Sequence, residues 1–345
     1  MLIRYIVPFV LALVISYALT PSVKKIALRV GAIDKPNARK VHTHVIPRLG
    51  GVAIFIGFIV TVLLFAPWQS ELIGILIGCT VIVAVGIWDD ICNIPARTKL
   101  VGQIIAALIP VASGIQIDWL NNPFGTLWVL PEFIAIPLTI FWIIGFTNTV
   151  NLIDGLDGLA AGVSVIASIS IFFITYSMGQ DTPALLIAAI AGAALGFLQY
   201  NFNPAKIFMG DTGSMLLGYT LSVAAVFGVV KTAATVALVV PIIALGVPIL
   251  DTLFAIVRRK MSGKPVFQPD KGHLHHRLLA LGLSQKQVVL IMYCVSIALG
   301  IVALFVAHVG YKIGMVTVII VLGVIIYSAK RIGILQKTTN TTHLK

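Results

Sequence analysis

At 345 residues, 59% of them hydrophobic and only 10% charged, the chain is too apolar to fold around an aqueous surface, since a soluble domain carries about 25% charged residues. Its net charge of +12 is spread between apolar runs instead of forming a nucleic-acid patch. Three cysteines without pair spacing, Cys79, Cys92 and Cys294, exclude a disulfide framework and a zinc site.

Taken in chain order, apolar runs of about 17–24 residues, each long enough to cross a ~30 Å hydrocarbon core, lie near 2–20, 50–66, 72–88, 101–117, 132–150, 159–177, 184–200, 212–230, 234–257, 288–307 and 313–329. In lipid the backbone must satisfy its own polar groups, so these runs are helices. The expected fold is an all-α integral membrane protein: one polytopic domain over 1–345, a bundle of about eleven transmembrane helices. The first run lacks a small-x-small cleavage site and ten more follow it, so it reads as span one and not as a secretory signal.

When the connections are assigned alternately to two sides, only Arg4, Lys231 and Lys312 of the 24 lysines and arginines fall on one of them. The positive-inside rule then places the N-terminus out and the C-terminus in the cytoplasm. The longest outer connection, about 118–131, reads as a turn or hairpin. The inner connections near 21–49, 89–100, 151–158, 201–211 and 258–287 are richer, and most of the aspartates lie there. A charge at the bilayer centre costs about 2.5–3.5 kcal/mol. Aspartates at the cytoplasmic ends of spans escape most of that cost and can meet soluble substrate.

Four polar segments stand out. Asp89-Asp90 closes the third run; the two carboxylates repel each other, and a cation would relieve them. Asn148-Thr-Val-Asn151-Leu-Ile-Asp154-Gly-Leu-Asp157-Gly ends the fifth, with polar residues every three positions on one broad helical face. Asn201-Phe-Asn203-Pro-Ala-Lys206-Ile-Phe208-Met-Gly210-Asp211 leads into the eighth, where Asp211 suits a helix N-cap and a ligand equally well. Gly272-His273-Leu-His275-His276-Arg277 lies in a basic loop fitted to anions. Asp251 sits within the ninth run, about 10 Å inside Arg258, and is the best argument for an ion-coupled transporter, the rival class.

In this order, together with Asp34-Lys-Pro-Asn-Ala-Arg39-Lys40-Val-His42 and Pro47-Arg-Leu-Gly-Gly51, these segments resemble the polyprenyl-phosphate N-acetylhexosamine-1-phosphate transferase family over nearly the whole chain. The resemblance implies a transferase that moves GlcNAc-1-phosphate from UDP-GlcNAc to undecaprenyl phosphate, starting a cell-envelope polymer such as teichoic acid or O-antigen. The MurNAc-pentapeptide phosphotransferases are the alternative branch. Asp89 and Asp90 would be catalytic, and Asn151 and Asp211 would ligate Mg²⁺, with Mn²⁺ as a substitute. Lys99 would contact pyrophosphate, Asp154, Asp157 and Asn201 the donor, and Phe208 uracil. His275, His276 and Arg277 would face sugar and phosphate. Asn93 stands where many GlcNAc relatives carry a third aspartate. The implied partners are the UDP-sugar, the polyprenyl phosphate and the bilayer of the bacterial inner membrane, with a homodimer left open and no nucleic acid. The donor's and acceptor's phosphates add to five aspartates, so the site calls for cations. The lipid phosphate, mostly dianionic at neutral pH, scarcely needs a base to attack.

Overall fold

A computed structural model describes residues 2–34, 44–121, 127–230, 239–261 and 274–331. The described residues form thirteen α-helices and two small antiparallel ribbons. Helix α1 is Ile3–Val30, running well past the first apolar run until Gly31 turns the chain at φ 75°. Ribbon strands β1 (Ile33–Asp34) and β2 (Ile46–Pro47) follow, an element the apolar pattern does not announce. Then come α2 (Gly50–Phe65), α3 (Ser70–Cys92) and α4 (Ala96–Ala112). The expected hairpin is strands β3 (Trp119–Asn121) and β4 (Leu127–Val129), paired antiparallel, with Asn122, Pro123 and Gly125 outside the described residues. Helices α5 (Glu132–Leu152), α6 (Leu159–Ser177), α7 (Asp181–Asn201) and α8 (Gly210–Ala225) complete the centre, α8 passing into a wider π turn at Val226–Val230. The remaining helices are α9 (Val239–Ala244), α10 (Gly246–Met261), α11 (Leu274–Ala280), α12 (Gln285–His308) and α13 (Tyr311–Arg331).

Among the described residues, α1, α3, α5, α6, α7 and α12 are long and apolar enough to cross a membrane; α2 and Lys312–Ser328 within α13 are shorter apolar helices. The expected all-α membrane protein is present, but the count of eleven spans is not reached on this measure. The run 234–257 shows why. It breaks at Leu245 into α9 and α10, because Pro248 has no N–H to offer the carbonyl four residues back. Hydropathy counts apolar letters and does not see that break.

Small residues hold the centre together. A Cβ at Gly192 would lie 2.0 Å from the Phe9 carbonyl oxygen, and one at Gly196 would lie 2.3 Å from that of Leu13. Helices α1 and α7 thus pack backbone to backbone, the arrangement small residues permit in lipid. Apolar side chains such as Ile301, Ile319 and Val324 face outward on α12 and α13, which hydrocarbon tolerates and water would not. Asp89, Asn151, Asn201 and Asp211 stand at the C-terminal ends of α3, α5 and α7 and the N-terminal end of α8, so these four helices bring their polar termini to one end of the bundle.

Candidate active site

The adjacent carboxylates of α3 have different partners. Asp90 is 1% exposed. Its Oδ1 accepts from the Asp211 N–H (3.0 Å), and its Oδ2 from the Thr212 N–H (3.1 Å) and hydroxyl (2.6 Å). Asp90 therefore caps α8 from another helix, satisfying N–H groups that the helix leaves open and placing negative charge at the positive end of its dipole. Hydrogen bonds to a charged group contribute about 1.5–3 kcal/mol each. Gly210, at φ 72°, makes the approach possible; a Cβ there would sit 2.3 Å from Asp90 Oδ2. Asp211 is thus not the N-cap of α8: it lies inside the first turn, with its carboxylate turned elsewhere.

That carboxylate meets Lys99. Nζ lies 2.5 Å from Asp211 Oδ2 and 2.8 Å from Asp89 Oδ2, a bridge from α4 to both α8 and α3. Carboxylate oxygens of Asp89, Asp90 and Asp211 fall within 4.8 Å of one another. Three acids facing one lysine leave an excess of negative charge on hard oxygen donors, a set that fits Mg²⁺. Asn93 does not join it. At φ 50° it ends α3 in the left-handed region that asparagine tolerates, and its Oδ1 accepts from Arg48 Nη2 at 2.5 Å. Arg48 Nε donates to the Asp90 carbonyl at 3.0 Å, so one guanidinium closes the C-terminus of α3.

The turn after α5 supplies the facing wall. Asn151 donates Nδ2 to Ser214 Oγ at 3.0 Å and lines the cleft. Asp154 lines it too; burial first, and then the charges of Asp211, Asp90 and Asp157, push its carboxyl up to about 8. Asp157 has a structural task as well: Oδ2 accepts from the Ala205 N–H (2.9 Å) and Asn203 Nδ2 (3.1 Å), fixing the turn around the cis Asn203–Pro204 bond. Asn201, 2% exposed, accepts from the Gly158 N–H (3.1 Å) and donates to the Ile207 carbonyl (3.1 Å), which ties this turn to the α7–α8 connection. Phe208 N–H donates to the Pro47 carbonyl at 2.8 Å, and Phe208 lines the cleft together with Arg48.

Of the histidine loop, His273 lies outside the described residues. His275 is 1% exposed beneath Gly155, where a Cβ would be 3.0 Å from its Nε2. His276 stacks beside it, ring centroids 4.3 Å apart, and reaches the cleft. Arg277, on the same short helix, stands outside the cleft lining. Asp251 has a task that a sequence reading leaves open: its Oδ1 accepts from the Leu274 N–H at 2.7 Å, so the buried acid anchors the start of the histidine helix. The transporter argument loses its best residue by this contact.

Sequence reasoning assigned no site role to Asp34, Arg48 and Gln285, which line the cleft. Arg48 stood inside the Pro47–Gly51 motif, where a lone cation among glycines could have drawn notice. Gln285, first residue of α12, carries no signal in its neighbourhood.

Residues 72–229 match the model of the family described as glycosyl transferase family 4. A probable undecaprenyl-phosphate N-acetylglucosaminyl 1-phosphate transferase of Bacillus subtilis is 42% identical over 304 residues, covering 88% of this chain and 85% of that protein. A decaprenyl-phosphate N-acetylglucosaminephosphotransferase of Mycobacterium tuberculosis is 36% identical across 82% of this chain and 77% of its own length. A phospho-N-acetylmuramoyl-pentapeptide-transferase of Moorella thermoacetica is 32% identical across 86% and 97%.

Proposed function

The chain belongs to glycosyl transferase family 4, and from that premise we propose that it transfers GlcNAc-1-phosphate from UDP-GlcNAc to undecaprenyl phosphate, releasing UMP. The observation that carries the reading is the convergence of Asp89, Asp90 and Asp211 within 4.8 Å, the first and last bridged by Lys99, beside a cleft that Phe208 also lines. A phosphate-rich donor and acceptor need such a site, where charge is balanced and oxygens are held in line. The Bacillus and Mycobacterium enzymes named for GlcNAc transfer, 42% and 36% identical, are more similar than the Moorella MurNAc-pentapeptide enzyme at 32%, which favours the smaller sugar, although a GlcNAc enzyme of Yersinia pestis is 26% identical.

In this reading Asp211 and the Asn151 carbonyl oxygen, with Asp89 beside them, would hold Mg²⁺, whose charge would offset that of the phosphate oxygens. Lys99 faces the donor's pyrophosphate. A lipid phosphate oxygen forms its bond to the β-phosphorus while the bond from that phosphorus to the bridging oxygen breaks, and the electron pair departs with UMP. Asp89 orients the acceptor and takes any remaining proton, since both oxygens of Asp90 are committed to α8. Phe208 offers its face to uracil, and His276 meets the sugar-phosphate.

The cleft faces the cytoplasm and the N-terminus faces out, as the charge bias requires. In a cysteine-free background, an impermeant thiol reagent applied to intact cells reaches a cysteine at Ser70 and misses one at Lys286; the reverse pattern inverts the topology. The activity itself is tested with purified protein, polyprenyl phosphate, Mg²⁺ and a panel of UDP-sugars. UMP appears with UDP-GlcNAc, and only when the lipid is present. Release from UDP-MurNAc-pentapeptide instead moves the chain to the other branch.

A further inference from the structure

A polar pair, one member buried and the other half-buried, lies one layer behind the acidic cluster. Gln103 of α4, 3% exposed, and Asn148 of α5 form a reciprocal amide ring. Gln103 Nε2 donates to Asn148 Oδ1 at 3.2 Å, and Asn148 Nδ2 donates to Gln103 Oε1 at 2.7 Å. Asn148 Nδ2 also donates to the Ile144 carbonyl (2.9 Å), and Gln103 Nε2 reaches Met215 Sδ on α8 at 3.4 Å. Both side-chain nitrogens and both side-chain oxygens are therefore engaged. A fully satisfied network in a largely buried setting favours one arrangement, and it locks the elements that carry it.

The positions of these residues are informative. Gln103 is four residues from Lys99, Asn148 three from Asn151, and Met215 four from Asp211. Residues three or four apart share a helical face one turn apart. The ring thus sits one turn beneath all three residues that α4, α5 and α8 contribute to the cluster. Lys99 must reach two acids on two other helices; a slip of α4 against α8 would break that bridge, and a slip of α4 against α5 would shift Asn151 relative to it.

We propose that Gln103 and Asn148 are positioning residues, an amide clamp that fixes the spacing of α4, α5 and α8 and thereby sets cation affinity and turnover. The proposal rests on reading the cleft as a cation-dependent phosphotransfer site. Misplacing catalytic groups by about 1 Å can cost 100-fold in rate, and removing supports behind metal ligands commonly costs about 10–100-fold in affinity.

The test uses the full-length protein in detergent. Gln103→Leu and Asn148→Leu each strand one amide, half-buried or buried, and lower Tm, whereas the double leucine variant strands none and recovers it. That double variant, though folded, binds Mn²⁺ about ten-fold more weakly in a substrate-free titration and turns over about 10–100-fold more slowly. The exchanged pair, Gln103→Asn with Asn148→Gln, restores the ring and much of both. Wild-type Mn²⁺ affinity and turnover in the double leucine variant overturn the clamp, leaving only helix glue. Should the single variants fail to fold, the double and exchanged variants still decide. A wild-type protein that binds Mn²⁺ but releases no UMP refutes the proposed reaction, while the Mn²⁺ comparison still judges the clamp; one that binds no Mn²⁺ overturns both.

Discussion

The two ends of α7 lie about 30 Å apart, and each gathers acid and base. At the Asp181 end, Arg4 Nη1 lies 2.8 Å from Asp181 Oδ2 with side chains 61% and 55% exposed, and the Tyr5 hydroxyl donates to the same carboxylate. One acid meets one base in the open. At the Asn201 end, three carboxylates cluster and two of them, Asp89 and Asp211, share Lys99, with side chains 7% and 26% exposed. The first arrangement is balanced and screened, a local fastener between α1 and α7. The second is neither. Its surplus charge, held where water is scarce, is of the kind a cation would meet, and that imbalance distinguishes it from a surface ion pair.

The largest effect should follow from touching that surplus. Asp211→Asn keeps the size of the side chain and leaves the cap on α8 to Asp90, so Tm stays close to wild type. Turnover falls about 100-fold or the Mg²⁺ requirement rises steeply, read by UMP release across a Mg²⁺ titration. Full activity with an unchanged titration would make the cluster no different in kind from the Asp181 end.

The neighbouring aspartates sharpen the contrast. Asp89→Asn removes one of three like charges and should lower kcat by about 10–100-fold with no loss of Tm. Asp90→Asn turns an NH₂ group toward backbone N–H donors of α8, and leaving a buried donor unpaired costs about 1–3 kcal/mol. It should lower both Tm and turnover. Equal Tm for the two variants would erase the distinction between ligand and cap.

Asp154 gives a smaller, pH-dependent effect. Burial, and then its acidic neighbours, push its carboxyl up to about 8 from the ordinary 3.8. The stability tied to its proton is present below 3.8 and is lost as pH rises through about 8. Without Mg²⁺, Asp154→Asn should therefore lose less Tm than wild type between about pH 5 and about pH 9. Parallel profiles would remove the burial argument. Smallest of all is Arg4→Ala, expected to change stability by less than about 1 kcal/mol and kcat not at all.

Much of this was legible in the amino-acid order. Apolar runs announce helices in lipid, and acids placed against that background are costly enough to mark a site, as Asp89, Asp154 and Asp211 do. What stayed hidden depends on partners far along the chain. Nothing local separates Asp89 from Asp90; the difference is that α8, 121 residues on, docks its N-terminus onto only one of them. Asp251 looks like an ion-path residue until the Leu274 N–H is found beside it. Arg48 reads as one more inner-side cation until its guanidinium meets the end of α3. The amide clamp was half visible, since Asn148 belongs to a polar motif while Gln103 sits alone in an apolar run.

The central claim is that a sugar-1-phosphate, not a sugar, changes hands. UDP-GlcNAc carrying a radiolabel on its β-phosphorus distinguishes the two directly. If the lipid phosphate attacks that phosphorus, the label enters the lipid fraction and the soluble product is unlabelled UMP. If the label instead stays in water as UDP while the lipid gains only the sugar, the account of Asp89, Lys99 and Asp211 as a phosphotransfer site is contradicted.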